Sequence, residues 1–149
     1  MPERLVVDCS VAAKWILPEP GRAAALHLLK QYETGGILLI APDLLLAEFA
    51  SLLTKRMRRK EISAREAGYA FDLMQRLAPR LYDMRSRIQR ALSIALEYHL
   101  SLWDCVYIDL ATEHGCSVIT ADKRLFRGAT ARHASLRLLE GGLQPARGF

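Results

Sequence analysis

Short apolar runs alternate with longer stretches of helical periodicity through most of the 149 residues. Arg4-Leu5-Val6-Val7-Asp8 is an apolar run closed by an acid, the pattern of a strand buried on both faces. Ser10 is placed to cap a helix through Ala12, Ala13, Trp15 and Ile16, stopped by Pro18 and Pro20. A second helix is predicted over residues 22–32, ending at Gly35-Gly36. Residues 37–40 read as another buried strand, closed by Pro42. From Asp43 a long helix is expected to about position 59, and Ser63-Ala64-Arg65-Glu66 carries the capping-box signature of a further helix toward Leu77. Pro79 breaks it. Residues 80–83 suit a short strand, and residues 86–98 a helix, from the spacing of Ile88, Leu92 and Ala95. Ser101 caps a helix to about Glu113, ended by Gly115. Residues 117–120 read as a strand, 122–126 as a short helix and 136–139 as a last strand.

Strands alternating with helices imply an α/β sandwich around a parallel sheet. In such sheets the functional crevice lies beyond the carboxyl ends of the strands. No repeat, low-complexity segment or linker interrupts the pattern. One domain over residues 1–140 is therefore expected, followed by a loosely held tail, 141–149, that carries Gly141, Gly142, Pro145 and Gly148.

Composition narrows the class only a little. No apolar run approaches the length of a membrane helix. Met1-Pro2-Glu3-Arg4 leads straight into a strand and lacks the layout of a signal peptide, so a soluble, cytoplasmic protein is expected. The three cysteines, Cys9, Cys105 and Cys116, are odd in number and form no C-x-x-C pair, which argues against a disulfide framework or zinc knuckle. His27, His99, His114 and His133 show no metal-ligand spacing. The formal net charge of +5 favours anionic partners. Part of it is local: Lys55, Arg56, Arg58, Arg59 and Lys60 form a basic run. This run is either a solvated helix end that offsets the helix dipole or a patch that contacts phosphates.

Four acids stand out by position. Asp8 and Asp122 fall at or just past the carboxyl ends of strands, although the first could simply form a turn and the second cap a helix. Glu48 has Leu44, Leu45 and Leu52 at i−4, i−3 and i+4, so it lies within the apolar face of its helix. A carboxylate there needs a cation, a route to water or a proton. Asp104 could belong to a capping box with Ser101. Its neighbours Tyr107, Ile108 and Ala111 nevertheless mark the inward face. Asp109 lies about 140° around the same helix at 3.6 residues per turn, so it is expected to face away, with Val106 and Glu113, and outside any site. Clustered carboxylates repel unless a divalent cation sits among them, and oxygen-only ligands suit Mg²⁺ or Mn²⁺ rather than zinc. Such a cluster is an arrangement for in-line phosphodiester hydrolysis.

The segments carrying these acids occur in a familiar order. Val6-Val7-Asp8-Cys9-Ser10-Val11-Ala12-Ala13-Lys14-Trp15 resembles the opening motif of PIN-domain ribonucleases, especially the VapC toxins of toxin–antitoxin pairs. Ala41-Pro42-Asp43-Leu44 through Glu48 resembles their second motif. Ser101-Leu102-Trp103-Asp104 through Tyr107 resembles the third, and Val118-Ile119-Thr120-Ala121-Asp122 the fourth. The resemblance spans roughly residues 4–140. It implies a three-layer α/β/α PIN-like sandwich with a central, mostly parallel sheet, and a Mg²⁺ or Mn²⁺ site. Asp8, Glu48, Asp104 and Asp122 match the family's acidic, catalytic and metal-binding positions, and Ser10 and Thr120 match supporting hydroxyl positions. It further implies an RNA substrate, homodimerisation and a VapB-like antitoxin that covers the active-site groove and links the complex to DNA. Dimer contacts would fall on the apolar faces of the helices near residues 22–32 and 43–76.

The leading expectation is a metal-dependent endoribonuclease, the toxin of such a pair, that cleaves structured RNA such as tRNA or rRNA. A PIN nuclease of RNA processing without an antitoxin is its nearest rival, and a catalytically silent binding module retaining the fold is another. A HAD-type phosphatase also begins with Asp at a strand end, but it would need a second Asp where this chain has Ser10.

Overall fold

The computed structural model describes residues 1–130 and 135–139. Five strands form one sheet in the order β3-β2-β1-β4-β5: β1 Glu3–Val7, β2 Ile37–Pro42, β3 Arg80–Tyr82, β4 Ser117–Thr120 and β5 Leu136–Leu138. Every pairing is parallel. The sheet is thus wholly rather than mostly parallel among the described residues. Parallel neighbours need crossover connections, and the helices supply them. They are α1 Cys9–Ala12, continued by a 3₁₀ turn Ala13–Trp15, then α2 Arg22–Glu33, α3 Leu44–Arg58, α4 Ala64–Leu77, α5 Ile88–Tyr98, α6 Leu102–Glu113 and α7 Lys123–Thr130. None is long and apolar enough to cross a membrane.

The chain winds outward through β1, β2 and β3, then returns across α5 and α6 to lay β4 against the other side of β1. Alternate strand residues feed two cores. Leu5, Val7, Leu39, Ala41 and Ile119 pack with α1, α2, α3 and Met74 of α4. Val6, Ile40, Val118 and Leu136 pack with Ala91 of α5, the buried residues of α6, and Leu125 and Ala129 of α7. This is a three-layer α/β/α sandwich whose winding reverses between β1 and β4, the place where doubly wound sheets open a crevice.

Most local signals act as read. Ser63 and Glu66 close both hydrogen bonds of the capping box at the start of α4. Gly115 takes φ +62° after α6, a left-handed turn that a side chain would strain. The first helix differs: its cap is Asp8, whose side chain accepts from the Val11 N–H, not Ser10. The fifth helix shows the expected extent, but Ile88 and Leu92 are exposed and Ala91 is the buried contact. The helix after Asp122 is longer than expected. His133 and the tail 141–149 lie outside the described residues.

Helix α6 departs most from expectation. It is buried on every side from Cys105 to Ala111, because it is sandwiched between the sheet and α5. Val106 is fully buried and Asp109 is only 5% exposed. Asp109 does point away from the other acids, but into a protein interface rather than into water. Arg90 Nε donates to its Oδ1 at 3.0 Å, and Arg87 Nη1, itself buried, reaches Oδ2 at 3.4 Å. Arg87 also pairs with Glu113 at 2.5 Å. Buried pairs add little net stability, but removing one partner strands the other charge. Asp109→Ala should therefore lower unfolding stability in urea by about 3 kcal/mol, the lower end for a broken buried pair because Arg87 keeps Glu113. A loss below about 1 kcal/mol would mean that the pairing carries no such strain.

Candidate active site

The central acid is Asp8, where β1 ends and α1 begins. Its carboxylate is buried, yet it is held by three partners. Ser10 Oγ donates to Oδ1 at 2.5 Å, the Val11 N–H donates to the same oxygen at 3.3 Å, and the Thr120 hydroxyl also bonds the carboxylate. Ser10 Oγ lies 3.2 Å from Thr120 Oγ1 and accepts from the Ala121 N–H at 2.8 Å. Thr120 Oγ1 in turn accepts from the Asp122 N–H at 3.0 Å. The two hydroxyls therefore tie the carboxyl end of β1 to that of β4, across about 110 residues of sequence.

Asp122 stands at the far side of this tie. Its Oδ1 accepts from the N–H groups of Arg124 and Leu125, at 2.9 and 3.1 Å, so it caps α7. Asp104 sits on the first turn of α6, opened by Ser101, whose hydroxyl accepts a long 3.5 Å bond from the Asp104 N–H. Glu48 projects from the middle of α3 and is half-buried. Its partner is not a cation: the Tyr107 hydroxyl donates to Oε1 at 2.5 Å. Tyr107 is one turn on from Asp104 on the same helix. Its inward position was legible from the sequence, but its role as the partner of Glu48 was not, since that contact spans 59 residues.

Asp8 and Asp104 both respond to neighbouring acids. Burial raises Asp104 from 3.8 to about 7, and the charges of Asp8, Asp122 and Glu48 add to that rise. Burial raises Asp8 to about 6 against the pull of its hydrogen bonds, with Glu48 contributing. Burial also raises Glu48, while the Tyr107 hydroxyl pulls it back. Cys9, beside Asp8, is pushed upward by burial and by Glu48 and Asp8, which leaves it a thiol. The structure thus brings all four predicted acids, with Ser10 and Thr120, to one mouth at the carboxyl edge of the sheet.

As they stand, no three Asp, Glu, His or Cys side chains among the described residues form a ready-made cage for an ion. The donor set is nevertheless all oxygen, and its charges repel one another. That chemistry suits a hard divalent cation, and Mg²⁺ retains several waters rather than requiring a closed cage.

The basic run divides. Lys55 lies on the Glu48 face, seven residues on, and lines the same groove. Arg56 is engaged by Glu19 and Glu61. Lys60 sits in a left-handed turn, φ 59°, after α3 ends. Arg58 and Arg59 are exposed at that helix end.

A fully parallel sheet with acids at its winding reversal is the frame of the PIN domain, and a model of that family matches residues 5–131. The chain belongs to the PIN-domain family, and within it to the VapC type. It is 31% identical over 121 residues to "VapC ribonuclease Mb0985" of Mycobacterium bovis, an alignment covering 81% of this chain and 87% of that one. The figures are the same for "Ribonuclease VapC9" of Mycobacterium tuberculosis. Among solved structures, PAE2754 from Pyrobaculum aerophilum is similar with a TM-score of 0.68, covering 94% of this chain and 93% of its own; at 19% identity this likeness speaks for the fold.

The raised acids set a pH dependence for the metal-free protein. Asp8 and Asp104 titrate near 6 and 7 when folded but near 3.8 when unfolded. The folded chain therefore holds protons that the unfolded chain releases, a contribution fully present below about pH 4 and lost as pH rises toward 7. In EDTA, the melting temperature should fall by several degrees between pH 5 and 7.5, the buried Asp8 alone being worth about 1.4 kcal/mol over that window, as pH rises through its folded pKa. Asp104→Asn should flatten that fall. Millimolar Mg²⁺ or Mn²⁺ should restore the wild type at pH 7.5 more than the variant. A flat profile in both chains would refute the repulsion.

Proposed function

We propose that this protein is a metal-dependent endoribonuclease that hydrolyses phosphodiester bonds in structured RNA, and that it acts as the toxin of a toxin–antitoxin pair. One observation carries the reading. Acids from four separate segments, Asp8, Glu48, Asp104 and Asp122, meet at the reversal of the sheet, where burial first, and then the charges of the other three, raise Asp104 above its ordinary range. Mutual repulsion of this kind is a cost unless a cation is part of the working site. The ribonuclease names of the two mycobacterial relatives support the substrate class.

The division of labour among the residues follows from their partners. Asp8 is fixed in orientation by Ser10, Thr120 and the Val11 N–H. Tyr107 fixes Glu48. Asp122 commits Oδ1 to the start of α7. All four acids would hold Mg²⁺ or Mn²⁺. When bound, such a cation supplies an activated water and neutralises charge on the phosphate oxygens. The donor set also supports a need for the ion, because without it a mouth of carboxylates would repel phosphates.

The VapC relatives also support a VapB-like antitoxin as partner, with DNA reached only through it. A homodimer fits the same reading. Exposed apolar residues lie on α4 (Tyr69, Leu73) and along one face of α5 (Ile88, Leu92, Leu96). The second set was not expected from the sequence.

Purified protein should cleave a tRNA mixture with Mg²⁺ and fail with EDTA. Asp8→Asn and Asp104→Asn should abolish cleavage while remaining folded. Tyr107→Phe should retain activity lowered about tenfold, as for other partners of ligating carboxylates. Cleavage that persists in EDTA, or full activity in either Asn variant, would sink the proposal.

A further inference from the structure

The face of α3 that carries Glu48 continues into a groove of about 460 Å³ closed on its far side by the start of α6. Its lining includes Leu44, Glu48, Ser51, Leu52, Lys55 and Trp103. Glu48, Ser51, Leu52 and Lys55 follow one another at i, i+3, i+4 and i+7, so a single helix face presents acid, hydroxyl, aliphatic surface and cation in sequence. Lys55 is two turns, about 10 Å, beyond Glu48. It has no ion-pair partner among the described residues, whereas its neighbour Arg56 is held by two glutamates.

Trp103 is the unusual member. The other tryptophan, Trp15, is buried, and its indole N–H donates to the Ala25 carbonyl at 3.0 Å. Trp103 is 52% exposed. It precedes Asp104 directly on a helix buried along most of its length, so a broad aromatic face is fixed beside the acid cluster and open to solvent. Neither core packing nor capping requires an indole there.

We propose that this groove is a nucleotide subsite, in which Trp103 stacks on the base of a nucleotide flanking the scissile phosphate and Lys55 pairs with a neighbouring phosphate. The inference rests on the nuclease reading above and adds to it the residues that would select where on an RNA cleavage falls. Two features favour an RNA strand as occupant. The groove is continuous with the acid cluster, since Glu48 lines both, and its cation lies at the end where the strand's backbone would leave the site. Stacking on an aromatic face needs a base that has left its helix, so the subsite selects unpaired nucleotides in loops and bulges. Its tolerance for base identity is broad, because every base offers a π-face.

The test separates the subsite from the chemistry. Binding of a short single-stranded oligoribonucleotide with a 3′ fluorescein is read by anisotropy, with Mg²⁺, in the Asp8→Asn chain. Adding Trp103→Ala should weaken binding about tenfold or more, Trp103→Leu should do the same, and Trp103→Phe should stay within about threefold of the parent. Adding Lys55→Ala should reduce the salt dependence by about one phosphate contact. In the Asp8→Asn chain carrying Trp15→Phe, the oligonucleotide should quench the fluorescence of the remaining tryptophan. In the otherwise wild-type chain, Trp103→Ala should raise KM for cleavage while lowering kcat much less. Because Trp103 is exposed, its variants should melt with the parent. Equal affinity of the Trp103→Ala and parent chains would overturn the subsite and leave the nuclease reading untouched. So would a Leu variant that binds like the parent, because an aliphatic side chain has no face on which a base can stack. Loss of binding in the Ala variant from a protein that cleaves no RNA under any metal condition would instead overturn the nuclease reading.

Discussion

A charged carboxylate at the end of a buried strand is expensive to keep, and the arrangement around Asp8 is what makes it tolerable. The strand that presents it, β1, lies at the centre of the sheet, with β2 on one side and β4 on the other. Two hydroxyls, Ser10 and Thr120, and one backbone N–H converge on the carboxylate. Thr120 belongs to β4, so this convergence is possible only if β4 pairs with β1 in its observed register, Val7 opposite Ile119. The same hydroxyls then accept the N–H groups of Ala121 and Asp122 and set where α7 begins. The site and the reversal of the sheet are thus parts of one hydrogen-bonded unit.

Around that unit the protein gives up stability in order to hold acids close together. Burial raises Asp8, Glu48 and Asp104, neighbouring acids add to the rise of Asp8 and Asp104, and only Asp8 and Glu48 receive hydrogen bonds that pull them back. The contrast with Asp109 is instructive. That acid is more deeply buried than Asp104 on the same helix, yet two arginines meet it. One face of α6 therefore satisfies its carboxylate inside the protein, whereas the opposite face leaves its carboxylate to be satisfied from outside. A partly unsatisfied acid among other acids is what a cation-dependent site requires.

Structural roles fall on the same positions as the proposed chemical ones. Asp8 caps α1 and Asp122 caps α7, while Ser101 caps the helix that carries Asp104. A helix start directs N–H groups and positive dipole toward its cap, which lowers the cost of a carboxylate there. Capping therefore explains how single acids survive at strand ends. It does not explain why three such helix starts face one another, with Glu48 brought in from α3.

Local rules in the sequence determined the strands, most helix limits, the capping box at Ser63 and the inward phase of Glu48 and Asp104. These depend on neighbours within about one helical turn or on the two-residue period of a strand. Tertiary structure alone decided the rest. Ser10 looks like a cap until Thr120, 110 residues away, recruits it to hold Asp8, which then takes the capping role. Asp109 and Val106 look like an outer face until α5 covers α6 and brings Arg87 and Arg90 with it. Ile88 and Leu92 look like core positions, but the register of that same packing buries Ala91 in their place. The acid cluster itself, four residues spread from Asp8 to Asp122, could be listed from the sequence as inward-facing or strand-ending. Their mutual repulsion, and the tyrosine that steadies one of them, exist only once β4 returns beside β1, because Coulomb interactions and hydrogen bonds depend on distance in space.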